Sequence, residues 1–308
     1  MKLVSEGLPL SFFFAYSNVS KCNLITKFFA YKMNRLPLKK RVQIINLLVE
    51  GMSLRATSRV ADVSINTVVK LLIDAGRACQ EFHDATVHGL KSQRVQCDEI
   101  WSFVYCKDAN ATDELKTKGY GDAWTWVGID PDTKLVISWL VGPRDGDSAY
   151  TLMKDIKSRV KTRLQLTTDG LLSYIDAVSS AFGSKVDYAR LVKRYGGYEH
   201  EDGKERRYSP SKYIGADKIR VQGNPDKKYV TTSHIERQNL TMRMHMRRFT
   251  RLTNAFSKKL ENHSYAIALH FVYYNFVKIH TTLRVTPAME AGLTKDVLKI
   301  EDIVNMCQ

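Results

Sequence analysis

Apolar residues Val42, Ile45, Leu48 and Val49 recur at three- and four-residue steps after Leu38, the spacing of one helix face, and Gly51 ends the run. A second helix is predicted from about Ser53 to Ala61. After the short turn Asp62-Val63-Ser64 a third begins, with Ser64 as its N-cap and Val68, Leu71 and Leu72 on its buried side. Three short helices joined by that turn form a helix-turn-helix candidate.

The period then changes. Val95 to Tyr105, Trp124 to Ile129 and Leu135 to Val141 are rich in β-branched and aromatic residues and are separated by turns containing Gly or Asp, which predicts three consecutive strands. A helix over 147–161, a strand over Leu164 to Thr168, a helix over Leu171 to Phe182 and a strand over Val186 to Val192 follow. Such an order predicts an α/β fold, a mixed sheet covered by helices. From Arg194 to Tyr229 the chain is basic and aperiodic and reads as an insertion or long loop. Helices are predicted again over Thr232 to Arg251 and Lys258 to His280, with a short one in the tail from Lys295. Residues 1–32 carry Phe12, Phe13, Phe14, Phe28 and Phe29 without periodicity; they read as a packing arm or as sequence ahead of a true start at Met33.

Composition narrows the class of partner. Lys and Arg number 47 against 32 Asp and Glu, a net charge of +15 that attracts polyanions, and 15 Tyr and 4 Trp amid that charge suit nucleic acid. The five cysteines, Cys22, Cys79, Cys97, Cys106 and Cys307, are scattered and never spaced Cys-x-x-Cys, so they signal neither a disulfide framework nor a zinc ribbon. No apolar run reaches the roughly 18 residues of a membrane span, and no cleavage site follows the apolar stretch Leu8 to Tyr16. The expected location is the cytoplasm, at the nucleoid, for a bacterial chain and the nucleus for a eukaryotic one.

Candidate chemistry lies in three chain-distant carboxylates. Asp98 sits within the first strand, Asp169 just after Leu166-Thr167-Thr168, and Glu236 near the start of a basic helix. An Asp among Val95, Cys97, Ile100 and Trp101 is costly unless it is paired or binds a metal. Strand-transfer chemistry needs two cations about 3.5 to 4 Å apart, and hard ions such as Mg²⁺ or Mn²⁺ take carboxylate oxygens. Glu99 rivals Asp98, and strand alternation sets the two on opposite faces.

The segment Cys97-Asp98-Glu99-Ile100-Trp101-Ser102-Phe103-Val104, the Thr168-Asp169-Gly170 turn and His234-Ile235-Glu236-Arg237-Gln238-Asn239 resemble the DDE transposases of IS1-like insertion sequences. The C-terminal run Tyr274-Asn275-Phe276, His280, Thr286-Pro287-Ala288 and Ala291-Gly292 also resembles the tail of these enzymes. The resemblance implies an RNase H-like core with its first Asp on the first strand, its second after the fourth and its Glu on a later helix, where Asp98, Asp169 and Glu236 fall. It also implies a Tyr-x-x-Arg-x-x-x-Glu signature with a basic residue seven beyond; Tyr229, Glu236 and Arg243 match, while Thr232 replaces the Arg. The zinc-binding N-terminal module of such proteins has no counterpart here.

The chain thus divides in expectation into an arm (1–32), an all-α helix-turn-helix domain with linker (33–92), an RNase H-like catalytic domain (93–293, with the basic insertion at about 194–230) and a tail (294–308). Asn66, Thr67 and Lys70 are placed to reach base edges, with Arg55 and Arg59 on phosphates. Arg243 and Arg247, seven and eleven residues beyond Glu236, share its helix face and meet DNA as well. Met242, Met244, Met246 and Phe249 read as packing, Tyr273, Tyr274 and Phe276 as helix core, and His234, His245, His263, His270 and His280 lack zinc spacing. The function expected is metal-dependent cleavage at transposon ends and transfer of the 3′-hydroxyl strand to target DNA, by a homo-oligomer on DNA. Alternatives are an RNase H-like nuclease that cuts without joining and a non-catalytic or domesticated DNA-binding protein.

Overall fold

The computed structural model describes residues 35–196, 212–250 and 253–307. The arm 1–32 with its phenylalanines and Cys22, and the middle of the basic insertion at 197–211, lie outside the described residues.

Helix α1 (Leu38–Val49) buries Ile44, Ile45 and Val49. The Ser53 hydroxyl accepts from the Ala56 N–H and opens α2 (Leu54–Ala61), which ends on Asp62 in the left-handed region (φ 49°); Asp tolerates that backbone better than most residues. Ser64 caps α3 (Ile65–Thr86) as its position predicts, through a bond from the Asn66 N–H. This third helix is not short. Beyond Leu72 its buried stripe continues through Ala75, Gly76, Cys79 and His83, so the same apolar face carries it to 22 residues.

The sheet follows. β1 (Arg94–Val104) leads through α4 (Asp113–Thr117) into β2 (Gly121–Ile129) and β3 (Val136–Gly142), an antiparallel meander. Helix α5 (Gly146–Arg159) carries the chain to β4 (Leu164–Thr168), parallel to β1, and α6 (Ser173–Phe182) to β5 (Val186–Gly196), parallel to β4. β6 (Lys212–Gln222) returns antiparallel to β5, giving the order β3-β2-β1-β4-β5-β6. Three antiparallel strands followed by two parallel ones with helical crossovers make the mixed α/β, RNase H-like sheet expected. The aperiodic reading of 194–229 is corrected at both ends: β5 runs on to Gly196, and β6 forms the sheet edge. Its sequence lacks an apolar alternation because most of β6 is exposed and has no core face to encode.

Helices α7 (Ser233–His245), α8 (Leu260–Val272), α9 (Pro287–Glu290) and α10 (Ile300–Met306) complete Pro37–Gln308 as one compact unit. α7 is shorter than its helical composition predicts. Met246 leaves the helix in an extended conformation, and a 3₁₀ turn over Arg247–Phe249 lets Met246 and Phe249 bury. Arg247 therefore does not lie on the helix of Glu236, and Met244, 63% exposed, is not packing. α8 likewise ends early, in a π-helical turn over Tyr273–Val277. That wider turn brings the buried Asn275 side chain onto β3, where it accepts from the Val136 N–H (3.0 Å) and donates to the Val136 carbonyl (2.8 Å).

Two faces of β1 are distinguishable by their partners. Gly128 of β2 lacks a side chain where Ile156 of α5 and Cys97 fill the space, and Glu99 meets Tyr174 of α6, so this face belongs to α5 and α6. On the other, Gln96 bonds the start of α7 and Ser102 donates or accepts at His263 of α8. The helices α1–α3 are packed on the C-terminal part of the chain, α3 against α8 and α1 against α10. No helix among the described residues is long and apolar enough to cross a membrane.

The α3–α8 contact depends on Gly76. A Cβ there would overlap the Cβ and backbone of Tyr265, too close for either helix to accommodate in place. Helix propensity alone favours Gly76→Ala by about 1 kcal/mol, whereas overpacking costs about 1–3 kcal/mol. We expect Gly76→Ala to lower the Tm measured by calorimetry; an unchanged or raised Tm would show that the two helices do not approach as closely as described.

Candidate functional site

The pairing of β1 with β4 ends at Cys97↔Thr168. One residue further the two strands part: β1 continues into Asp98 and Glu99, paired now with β2 alone, and the chain leaving β4 turns at Asp169. Three carboxylates thus meet over the open end of β4. One oxygen each of Asp98, Glu99 and Asp169 lies within 4.8 Å of the others. Alternation still sends Asp98 and Glu99 to different partners on the two faces, as their spacing predicts, but it does not keep their carboxylate tips apart, because no β4 residue stands between them.

Each carboxylate is held. Asp169 accepts from the Leu171 N–H at 3.0 Å, and β5 clamps the turn, with the Tyr188 hydroxyl on Thr168 Oγ1 (2.9 Å) and Arg190 donating to the Gly170 carbonyl. Asp98 Oδ2 accepts from Asn239 Nδ2 at 2.8 Å. Glu99, whose side chain is only 1% exposed, takes Arg144 Nη2 at 2.6 Å on one oxygen and the Tyr174 hydroxyl at 3.3 Å on the other. Arg144 itself stacks over Trp124 at 4.7 Å.

Crowding has an electrostatic consequence. Burial first, then the charges of Asp169 and Glu99, push Asp98 up to about 8, with Glu236 adding to the effect and the Glu99 N–H opposing it. Burial and Asp169 raise Glu99 too, against the pull of Arg144 and Tyr174.

Glu236 stands apart from the three. It lies in the first turn of α7, where Thr232 Oγ1 and Lys193 Nζ of β5 both donate to its Oε1. Thr232 thus occupies the position of the missing signature arginine and bonds the glutamate directly. Burial works against the charge of Lys193, but Glu236, Tyr195 and Asp98 outweigh it and raise its pKa. Asn239 follows Glu236 by three residues on the same helix face, so α7 presents a carboxylate to β5 and an amide to Asp98. α7 is fixed in this phase by Gln96, whose Oε1 accepts from the His234 and Ile235 N–H groups at 3.1 and 3.2 Å.

Lys193, Arg144, Tyr174 and Asn239 had no role in the sequence reading. Asn239 alone was detectable there, as the i+3 neighbour of Glu236; the others depend on which strands end where. Of the nucleic-acid set, Arg55, Arg59, Asn66 and Lys70 are exposed on α2 and α3, Thr67 is half-buried, Arg243 is half-buried on α7 and Arg247 is exposed beyond it. The histidines are structural where buried: His263 sits between Ser102 Oγ (3.1 Å) and Ser257 Oγ (2.9 Å), and burial, then Arg248, hold it down to about 3.

The donor set suits a hard divalent cation. Three clustered carboxylates, one of them pushed toward the neutral acid by burial and then by its neighbours, present only oxygen ligands and a net demand for positive charge.

No family model matches the chain, and no curated protein matches it by sequence. Among solved structures it is similar to a piggyBac transposase synaptic complex with hairpin DNA, at 10% identity and TM-score 0.40, over 88% of this chain and 69% of that one. It is also similar to Mos1 transposase in a paired-end complex with the left transposon end (11% identity, TM-score 0.23) and in a pre-cleavage transpososome (12%, 0.21). Each Mos1 match covers 50% of this chain and 59% of the Mos1 chain, less than two thirds of its length. Likeness at these scores decides no chemistry.

The raised Asp98 yields a prediction with a definite sign. Its folded pKa lies above that of the unfolded chain, so the folded protein holds a proton that the unfolded one releases, and stability falls as pH rises from about 4 to about 8. Asp98→Asn removes this loss. Its Tm should exceed that of the wild type by an amount that grows across that window, reaching roughly 5 °C near pH 8. A Tm difference that stays flat with pH would show that Asp98 is not crowded.

Proposed function

We propose that the chain is a DNA transposase of the DDE type, in which Asp98, Asp169 and Glu236 hold two divalent cations, Mg²⁺ or Mn²⁺. The observation that carries this is the meeting of Asp98 and Asp169 at the open end of β4, with Glu236 on the helix across from them and its charge felt by Asp98. The net charge of +15 supports DNA as the partner. The kinship to IS1-like elements rests on the motifs Cys97 to Val104, Thr168 to Gly170 and His234 to Asn239.

Bound between Asp98, Asp169 and Glu236, the cations would activate the attacking oxygen and stabilise the charge on the leaving one. The protein supplies position. Asp98 is oriented by Asn239 and Asp169 by the clamped turn, while Glu236 reaches the centre by exchanging Lys193, whose ammonium is then available to a DNA phosphate. Glu99 is assigned a supporting part, since both its oxygens are already engaged by Arg144 and Tyr174. Water attacks the phosphodiester at the transposon end, and the freed 3′-hydroxyl attacks target DNA in line. Asn66, Thr67 and Lys70 read the end, Arg55 and Arg59 hold its phosphates, and Arg247, off the α7 face, is a backbone contact. We place the arm, helix-turn-helix, catalytic region and tail at the boundaries given above, and expect a homo-oligomer on DNA.

The test uses the chain with DNA flanking its gene. Cleavage followed by strand-transfer products in Mg²⁺ or Mn²⁺ is expected; cutting without joining would identify a nuclease, and end binding without nicking a regulator. Asp98→Ala, Asp169→Ala and Glu236→Ala should each abolish cleavage with end binding nearly unchanged, whereas Glu99→Gln should retain part of it. Activity surviving in any of the three removes that residue from the centre.

Arg243 lies about 10 Å along α7 from Glu236, two turns on and on nearly the same face. Its guanidinium can grip a phosphate with two parallel bonds. Arg243→Ala should reduce strand transfer roughly 10- to 100-fold, the scale of a charge-assisted hydrogen bond, with Arg243→Lys intermediate and metal affinity constant in both. A silent Arg243→Ala excludes it from the site.

A further inference from the structure

β5 and β6 run past the end of β4 as a two-stranded ribbon. β4 pairs β5 only as far as Thr168↔Arg190, while the β5–β6 ladder continues to Gly196↔Lys212. Beyond β4 the ribbon carries Lys193, Arg194, Lys212 and Lys218 against a single acid, Asp217, which pairs with Arg194 at 3.2 Å. At its far end Tyr195 and Tyr213 are cross-strand partners, 56% and 57% exposed, with ring centroids 6.2 Å apart at 71°.

Two tyrosine rings in water at the end of a basic strand pair contribute nothing to a core. As an edge strand β6 could pair with a second copy of the chain, but Lys212, Lys218 and Arg220 along it oppose that by like-charge repulsion. The same charges attract a phosphate backbone. An edge-to-face pair covers one face of one ring, and with both side chains more than half exposed the remaining faces are open to a planar base. Bases inside a duplex are already stacked on each other, so the ribbon's aromatic end is complementary to unpaired nucleotides.

The ribbon is continuous with the carboxylate site. Lys193 donates to Glu236, and Tyr195 is two residues beyond it on the same strand, about 7 Å at 3.3 Å per residue, or roughly two nucleotide steps.

We propose that the β5–β6 ribbon is a binding surface for single-stranded DNA, on which Tyr195 and Tyr213 stack a base within a few nucleotides of the phosphate held at the carboxylate site while Lys193 and Lys212 track the backbone. This rests on the transposase reading for its location beside a reacting strand, but its test needs no catalysis.

The probes are a fluorescein-labelled duplex of arbitrary sequence and the same duplex with a short unpaired 3′ tail, titrated with full-length protein at one fixed salt concentration and followed by anisotropy. Wild type should prefer the tailed probe. Tyr195→Ala and Tyr213→Ala should each weaken tailed-probe binding by roughly 5- to 100-fold, the range for loss of one base–aromatic stack, with duplex binding unchanged. Tyr195→Phe and Tyr213→Phe should retain wild-type affinity for both, since they keep the ring; circular dichroism checks the fold of every variant. Equal losses on both probes would reduce the ribbon to a phosphate contact and overturn stacking. Unchanged affinities with loss of an oligomer in sedimentation would assign the ribbon to contact between copies instead. A wild-type chain that binds neither probe would sink the transposase reading itself, an outcome distinct from a wild type that binds both probes equally and so lacks the single-strand surface alone.

Discussion

The structure depends on the place where the β1–β4 ladder stops. Parallel pairing covers both strands with hydrogen bonds up to Cys97 and Thr168, and beyond that point neither strand shields the other. Acidic side chains on the next residues therefore converge, and burial, with their mutual repulsion added to it, raises Asp98. Had β4 been two residues longer, alternation would have kept Asp98 and Glu99 on separate faces with a strand between them and Asp169. Everything nearby answers that concentration of negative charge: Arg144 on Glu99, Asn239 on Asp98, Lys193 on Glu236.

These responses differ in kind. Arg144 and Tyr174 engage Glu99 where it is almost fully buried, so removing either leaves an unsatisfied acid in the interior. Lys193 meets Glu236 where both are partly exposed, and a contact of that sort is exchangeable at small cost. On the proposed reading, a centre that accepts cations and a DNA strand is better served by the second kind beside it and the first kind behind it.

Much of this was legible in the sequence, and the parts that were not share a cause. The β1 motif, the Thr168-Asp169-Gly170 turn and the Ser64 cap are local signals, and each falls where its pattern predicts. β6 escaped notice because an exposed edge strand has no hydrophobic alternation. The early end of α7 escaped because Met246 and Arg247 have good helical composition, and only tertiary burial of Met246 and Phe249 makes them leave the helix. Glu99 illustrates the limit at the site: period-two alternation correctly separates its partners from those of Asp98, but cannot report that β4 ends one residue too early to separate the carboxylates themselves.

Gln96 has a mechanical consequence. It ties the His234 and Ile235 N–H groups to the same strand face that carries Asp98, and the far end of α7 is tied as well, by Lys278 Nζ against His245 Nε2 at 3.0 Å. Between them Asn239 bonds Asp98, and Gly51 approaches so closely that a Cβ there would stand 2.9 Å from the His245 carbonyl oxygen. A rod fixed at both ends and along its length does not tilt, so α7 keeps Glu236 in register with β1, and whatever enters the site must fit the helix rather than the helix fit it.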